Sequence, residues 1–240
     1  MDPPPGYREI QPPPALRHVV ECLWTRTGEP AGVLRIVPDA CSDVVWQRGC
    51  GTSVVGPDTT AKLVPCTPED VFVGIRFLPG AGGGVLGVPL HQLRDLRVET
   101  KEIDRAFDMH ADAAPSDVLA HFLSAAEGRQ PDPLVAHAAR IAGRLTSVDG
   151  LARELGLSER QLRRRFHVAV GYGPKALARV LRFRRFMRAI HAGRVDLARL
   201  AFDLGYADQA HLTRETTRLA GLPPLALIRS RRPWNSESVS

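Results

Sequence analysis

Three arginines, Arg160, Arg163 and Arg164, fall within one short stretch of helical periodicity. At 3.6 residues per turn they point away from Leu162 and Phe166, the inward residues of the same helix. A guanidinium presents its donors in a planar fork, which grips guanine edges and phosphate oxygens two at a time. Farther along, Gln209, Ala210, Thr213 and Arg214 are spaced along the exposed face of a second helical stretch. Gln209 suits adenine, and Arg214 suits guanine or phosphate. A third set, Trp24, Asp39, Asp43, Trp46 and Arg76, lies in β-rich sequence. It supplies the aromatic walls and charged anchors of a small-molecule pocket. Each member also has a plainer use: Asp39 follows Pro38 as ordinary turn chemistry, and Arg76 can pair internally with Asp43.

The elements that must position the first two sets form a repeat. Leu151-Ala152-Arg153-Glu154-Leu155-Gly156-Leu157, followed by Leu162, is echoed by Leu200-Ala201-Phe202-Asp203-Leu204-Gly205-Tyr206, followed by Leu212. In each copy an apolar helical stripe runs into a glycine able to turn left-handed, then a polar cap, then a second amphipathic helix. This is the pattern of a helix-turn-helix, whose second helix enters the major groove of DNA. Ser147 is an expected cap for the first helix, Ser158 with Glu159 and Gln161 for the second, and Asp208 for its counterpart in the second copy. His211 is expected to turn inward and bond to backbone. Between the copies, residues 174–191 read as one long amphipathic helix opened by Pro174. A helix through Leu134, Val135, Ala138, Ile141, Ala142 and Leu145 precedes the first copy.

Charge divides along the same line. Residues 1–133 hold 12 Lys and Arg against 18 Asp and Glu, net −6, while residues 134–240 hold 20 against 8, net +12. A basic module beside an acidic one points to nucleic acid as the partner of one part only. Nineteen of the 20 cations in the second part are Arg, the better residue for bidentate contacts. The 240 residues accommodate two domains, with a join near Gly128-Arg129-Gln130-Pro131-Asp132-Pro133. We expect an N-terminal unit over 1–130 and a DNA-binding unit over 131–240, with helix-turn-helix units at about 147–170 and 196–220.

Residues 133–232 resemble the DNA-binding domain of the AraC/XylS family of transcriptional regulators. The segment from Leu204 to Arg214, reading Leu-Gly-Tyr-Ala-Asp-Gln-Ala-His-Leu-Thr-Arg, and the later Gly221-Leu222-Pro223-Pro224 carry the likeness. The resemblance implies two helix-turn-helix units joined by a helix, with one monomer covering two adjacent major grooves. The family's base-contacting positions fall on Arg160, Arg163 and Arg164, and on Gln209, Ala210, Thr213 and Arg214. The chain departs from the family at Thr216, where an aromatic residue is usual. RNA polymerase and a second copy of the chain are candidate partners of such a regulator.

The N-terminal half alternates β-rich runs, at 19–27, 33–37, 43–47, 52–55 and 71–77, with Gly, Pro and Asp. These predict a small sheet or barrel-like core, followed by helices over 90–96, 103–107 and 116–126. The expected fold is therefore α+β in the N-terminal domain and all-α in the C-terminal one. The stretch from Leu34 to Trp46 and Gly74-Ile75-Arg76-Phe77-Leu78-Pro79-Gly80 resemble a poorly described sensor domain that precedes some actinobacterial AraC-type regulators. That implies a small-molecule effector of unknown identity, or dimerisation. Gly80-Ala81-Gly82-Gly83-Gly84 lacks the features of a phosphate or dinucleotide loop and reads as a flexible loop beside the pocket.

Cys22, Cys41, Cys50 and Cys66 contain no CxxC pair, and His18, His91, His110 and His121 are scattered. No metal and no cofactor are therefore expected, and no catalytic constellation. A Cys-based alkyl-acceptor or thiol-sensing regulator is the alternative function. Met1-Asp2-Pro3-Pro4-Pro5-Gly6 has neither a basic start nor an apolar run, and no stretch is long enough for a membrane span. A cytoplasmic location without membrane association is expected.

Overall fold

The computed structural model describes residues 6–28, 30–142 and 148–229. Its N-terminal half is built on strands β1 (Gly6–Ile10), β2 (Val20–Thr27), β3 (Gly32–Ile36), β4 (Ser42–Gln47), β5 (Gly51–Val55), β6 (Lys62–Cys66), β7 (Val71–Phe77) and β8 (Arg97–Glu99). Six of them form an antiparallel sheet in the order β1-β2-β7-β4-β5-β8, and β3 pairs with β6 as a separate ribbon. Strand alternation gives the sheet two different faces. Val44, Trp46, Val54, Val73, Ile75 and Phe77 pack with Phe107 and with Val118 and Phe122 from the helix α3 (Pro115–Ala126). Cys22, Trp24, Val45 and Phe72 occupy the opposite face.

Three strands were absent from the sequence expectation. β1 is a short edge strand after prolines, β6 carries Pro65, which cannot donate to a ladder, and β8 has three residues. Two helical expectations contract as well. The stretch 90–96 yields one 3-10 turn, Leu90–Gln92, because Asp95 adopts a left-handed φ of 62° and accepts hydrogen bonds from the Thr59 N–H and hydroxyl. The stretch 103–107 divides between α2 (Thr100–Ile103) and a 3-10 turn, Arg105–Phe107.

The glycine run is a correction of the opposite kind. Gly82–Leu86 forms a helix, α1, and it lies against the C-terminal half rather than beside the cavity. A Cβ at Gly83 would stand 2.7 Å from the Val168 carbonyl oxygen. Poor helix formers are used here because only a bare backbone fits.

The C-terminal half is all-helical: α4 (Pro133–Ile141), α5 (Val148–Glu154), α6 (Glu159–Val170), α7 (Pro174–His191), α8 (Leu197–Asp203), α9 (Gln209–Ala220) and α10 (Pro224–Arg229). The stripe residue Leu145 and the expected cap Ser147 lie outside the described residues. Leu151, Leu162, Phe166, Leu177, Phe183, Phe186, Leu200, Leu212 and Leu219 form its core, joined by Val37 and Ala40 from the N-terminal half. Gly156 and Gly205 take φ of 64° and 75° in the two turns, the left-handed conformation that the repeat predicts.

The halves are tied together at several points. Glu21 of β2 pairs with Arg184 of α7, has Arg188 at 3.8 Å, and accepts from the Cys41 thiol at 3.1 Å. Arg35 donates to the Ala220 carbonyl at 2.9 Å, and the Ala61 N–H donates to the Leu219 carbonyl at 2.8 Å. His91 Nδ1 lies 3.3 Å from the His167 carbonyl.

Candidate nucleic-acid interface and a neighbouring cavity

α6 begins with a reciprocal cap. The Ser158 hydroxyl accepts from the Gln161 N–H at 3.3 Å, and Gln161 Oε1 accepts from the Ser158 N–H at 2.9 Å, satisfying two donors that the first turn leaves open. Leu162, Phe166, Ala169 and Val170 are buried, so Arg160, Arg163 and Arg164 are left exposed. Arg163 pairs with Glu159 at 2.8 Å. This exposed i,i+4 pair is worth only a few tenths of a kcal/mol, roughly, and yields readily to a phosphate or base. Arg160 and Arg164 have no ion-pair partner among the described residues. Arg165 turns aside to Asp132 at 2.8 Å, the same carboxylate that caps α4 through the Leu134 and Val135 N–H groups. His167 packs its ring on His91, and burial with the neighbouring His91 and Arg94 lowers its pKa.

α9 is organised in the same way. Asp208 caps it by accepting from the His211 N–H at 2.6 Å. His211 turns inward as expected: its Nδ1 accepts from the Ala207 N–H at 3.2 Å, and its ring meets Tyr206 edge-on. Gln209, Ala210 and Arg214 are exposed, whereas Thr213 is half-buried and donates its hydroxyl to the Gln209 carbonyl at 2.9 Å. Thr213 therefore offers its methyl more readily than its hydroxyl. An Arg179–Glu215 pair at 2.7 Å, and Arg182 over the Tyr206 ring, fix the second unit to α7. Thr216, where the resemblance leads one to expect an aromatic residue, is fully buried and its hydroxyl has no hydrogen-bond partner among the described residues.

Between the six-stranded sheet and the β3–β6 ribbon lies a cavity of about 320 Å³. Trp24, Leu34, Val45, Val55, Val64 and Phe72 supply much of its apolar wall. Of the five residues expected at a pocket, Trp24, Asp43 and Arg76 line this one. Arg76 is buried against Asp43, with Nε at 3.2 Å and Nη2 at 3.1 Å from its two carboxylate oxygens, and the Trp24 indole donates to the same Asp43 at 3.0 Å. Asp39 at 3.4 Å, Glu9 at 3.6 Å and the Tyr7 hydroxyl at 3.4 Å also lie against the guanidinium. Burial opposes its charge, but Asp43 and Asp39 outweigh that and keep Arg76 protonated well above its usual range.

The remaining two depart from the expected set. Asp39 stands behind Arg76 rather than in the wall, and it accepts from the Cys41 N–H at 2.9 Å in the turn chemistry anticipated for it. Trp46 is fully buried in the core on the other face, its indole donating to the His110 carbonyl at 2.8 Å. It lies three positions from Asp43, and an odd separation puts two strand residues on opposite faces. Sequence reading also missed Asp58 and Lys62, which line the cavity. Asp58 sits in Gly56-Pro57-Asp58-Thr59-Thr60, a composition that signals only a turn. Burial pushes its carboxyl up to about 7, Lys62 pulling down and Asp95 adding to the rise.

Two family models match the chain. A helix-turn-helix domain covers residues 151–230, spanning α5 to α10, and a domain of unknown function, DUF6597, covers residues 8–99. Residues 151–230 are an AraC-type helix-turn-helix domain. The AraC-type domain makes the protein a DNA-binding regulator in class, and its two helix-turn-helix units are the α5–α6 and α8–α9 pairs. No curated protein matches the chain in sequence. Solved structures of ToxT from Vibrio cholerae are similar to it at low identity. The 1.65 Å structure has 9% identity and a TM-score of 0.48, covering 93% of this chain and 98% of ToxT. ToxT bound to (E)-4-(8-methylnaphthalen-1-yl)but-3-enoic acid gives 9% and 0.47 with the same coverage. ToxT bound to unsaturated fatty acid gives 11% and 0.44, over 85% of this chain and 96% of that one. Among the described residues no helix is long and apolar enough to cross a membrane, and no cluster of side chains is placed to hold a metal ion.

Proposed function

We propose that the protein is a sequence-specific transcriptional regulator whose AraC-type domain reads DNA through α6 and α9 and whose cavity binds a controlling small molecule. Arg160, Arg163 and Arg164 are assigned to the first major groove, and Gln209, Ala210, Thr213 and Arg214 to the second. The observation that carries this reading is the matched construction of α6 and α9. Each is capped by a side chain at its first turn, buries one apolar face and leaves its polar residues outward. The working division of the chain is 1–130 for sensing and 131–240 for DNA.

A nuclease footprint of the full-length protein at near-physiological salt tests it, because low salt favours any basic protein. A bounded footprint of about two major grooves per protomer supports the reading. Diffuse protection that vanishes with salt refutes sequence-specific binding. For two of the four cysteines the thiol-sensing alternative fits less well. Burial pushes the Cys22 thiol up to about 12 and Cys41 well above its usual range, opposite to the thiolate that such chemistry needs.

A further inference from the structure

The six-residue connection between β5 and β6, Gly56-Pro57-Asp58-Thr59-Thr60-Ala61, meets the cavity and both recognition helices. Asp58 lines the cavity and is 8% exposed. Pro57 packs against Gly171, the residue that ends α6, so closely that a Cβ there would lie 2.5 Å from the proline Cγ. Ala61 donates its N–H to the Leu219 carbonyl in the last turn of α9 at 2.8 Å. The C-terminal ends of both reading helices therefore rest on one short segment whose central side chain faces the cavity.

The charges around the cavity differ in how fully they are satisfied. Arg76 is surrounded by Asp43, Asp39 and Glu9. Asp95 accepts from the Thr59 N–H and hydroxyl, each at 2.7 Å. Lys62 donates to the Asp95 carbonyl at 3.0 Å and stands 3.9 Å from its carboxylate. Asp58 has Lys62 at 3.8 Å as its ion-pair partner, beyond hydrogen-bonding distance, and accepts no hydrogen bond from a described residue. Its acceptor capacity is open to the cavity, where Trp24 and Phe72 supply aromatic faces that favour a cation in an apolar body, the Tyr7 ring being already covered by Arg26 at 4.9 Å.

We propose that the cavity takes an apolar organic molecule carrying one protonated amine, that Asp58 accepts the amine's hydrogen bonds, and that residues 56–61 transmit its presence to α6 and α9. The last clause alone rests on the reading of these helices as DNA readers. The Asp95 carbonyl and carboxylate already hold Lys62, so the incoming ammonium takes its place beside Asp58 without stranding it.

The test compares 4-phenylbutylamine, 4-phenylbutanol and 4-phenylbutanoate by calorimetry on the full-length protein at pH 8. The amine should bind at least tenfold more tightly than the alcohol or the acid, and Asp58→Asn should remove that preference. Amide exchange near 168–171 and 217–221 should slow when the amine is added to the wild type. Equal or tighter binding of the acid, no binding of any probe at millimolar concentration, or an amine preference that survives in Asp58→Asn overturns the ligand class. Amine binding that leaves exchange unchanged at both helix ends overturns the transmission. The wild-type probe series decides the ligand class even if the variant folds poorly. None of these measurements uses DNA, so a failed footprint would sink the regulator reading while leaving amine selectivity to stand.

Discussion

Asp58→Asn should stabilise the protein, and by an amount that depends on pH. Burial raises the carboxyl from 3.8 to about 7, against Lys62 on β6 and with Asp95, Asp39 and Asp43 adding to the rise. Between those values the folded chain holds a proton that the unfolded chain has released, so stability falls as pH climbs. Above about pH 7 the folded protein carries the charge at its full cost, about 4 kcal/mol from that displacement. Asparagine has nearly the same shape and does not titrate, and every other ionisable group cancels when variant and wild type are compared at one pH. The advantage of the variant should therefore be near zero at pH 3.5 and grow by about 2–3 kcal/mol between pH 5 and pH 8. Urea denaturation followed by far-ultraviolet circular dichroism reads this directly. With a slope of about 2–3 kcal/mol per molar, the midpoint difference should widen by about 1 M over that range. A constant offset at every pH, or one that shrinks as pH rises, would show that Asp58 is ionised without penalty and that the burial argument is wrong.

Other substitutions probe separate parts of the molecule. Arg164→Ala should weaken binding to the specific site by about 1–3 kcal/mol and relax preference at one base pair; equal loss on scrambled DNA in a gel-shift titration would reduce Arg164 to a phosphate contact. Thr216→Val removes a buried hydroxyl that has no partner among the described residues and should raise stability by about 1 kcal/mol. A lower melting temperature by calorimetry would mean that the hydroxyl is satisfied after all. Gly83→Ala would place a methyl 2.7 Å from the Val168 carbonyl oxygen and should cost about 1–3 kcal/mol of overpacking. An unchanged denaturation midpoint would show that α1 and α6 are not in close contact.

The helical half was legible because its signals are local. Gly156 and Gly205 mark turns that any side chain would strain, and Ser158 with Gln161 forms its cap within four residues. The strands with β-branched runs were legible for the same reason, and the Arg76–Asp43 pair followed from charge and type. The misses arose where distant contacts override local preference. Three glycines argue against a helix at 82–86, yet packing against α6 requires a helix without side chains on that face. Pro65 hid a strand that needs its carbonyls but not that N–H. Asp58 looked like a turn residue because its role depends on a ribbon and two helices that meet it only in the fold. Strand parity alone sets Trp46 on the face opposite Asp43, so its place in the core rather than the cavity is written in the sequence.

The two-faced sheet also has a consequence for how this protein could change. Val45, Val55 and Phe72 look into the cavity, while their immediate neighbours Val44, Val54 and Val73 look into the core. Substituting the first set alters what the cavity admits without touching the packing that α3 depends on. A combinatorial library confined to Leu34, Val45, Val55, Val64 and Phe72 would thus vary chemical taste on a scaffold left intact, and Asp58 would give every member the same link to the helices beneath.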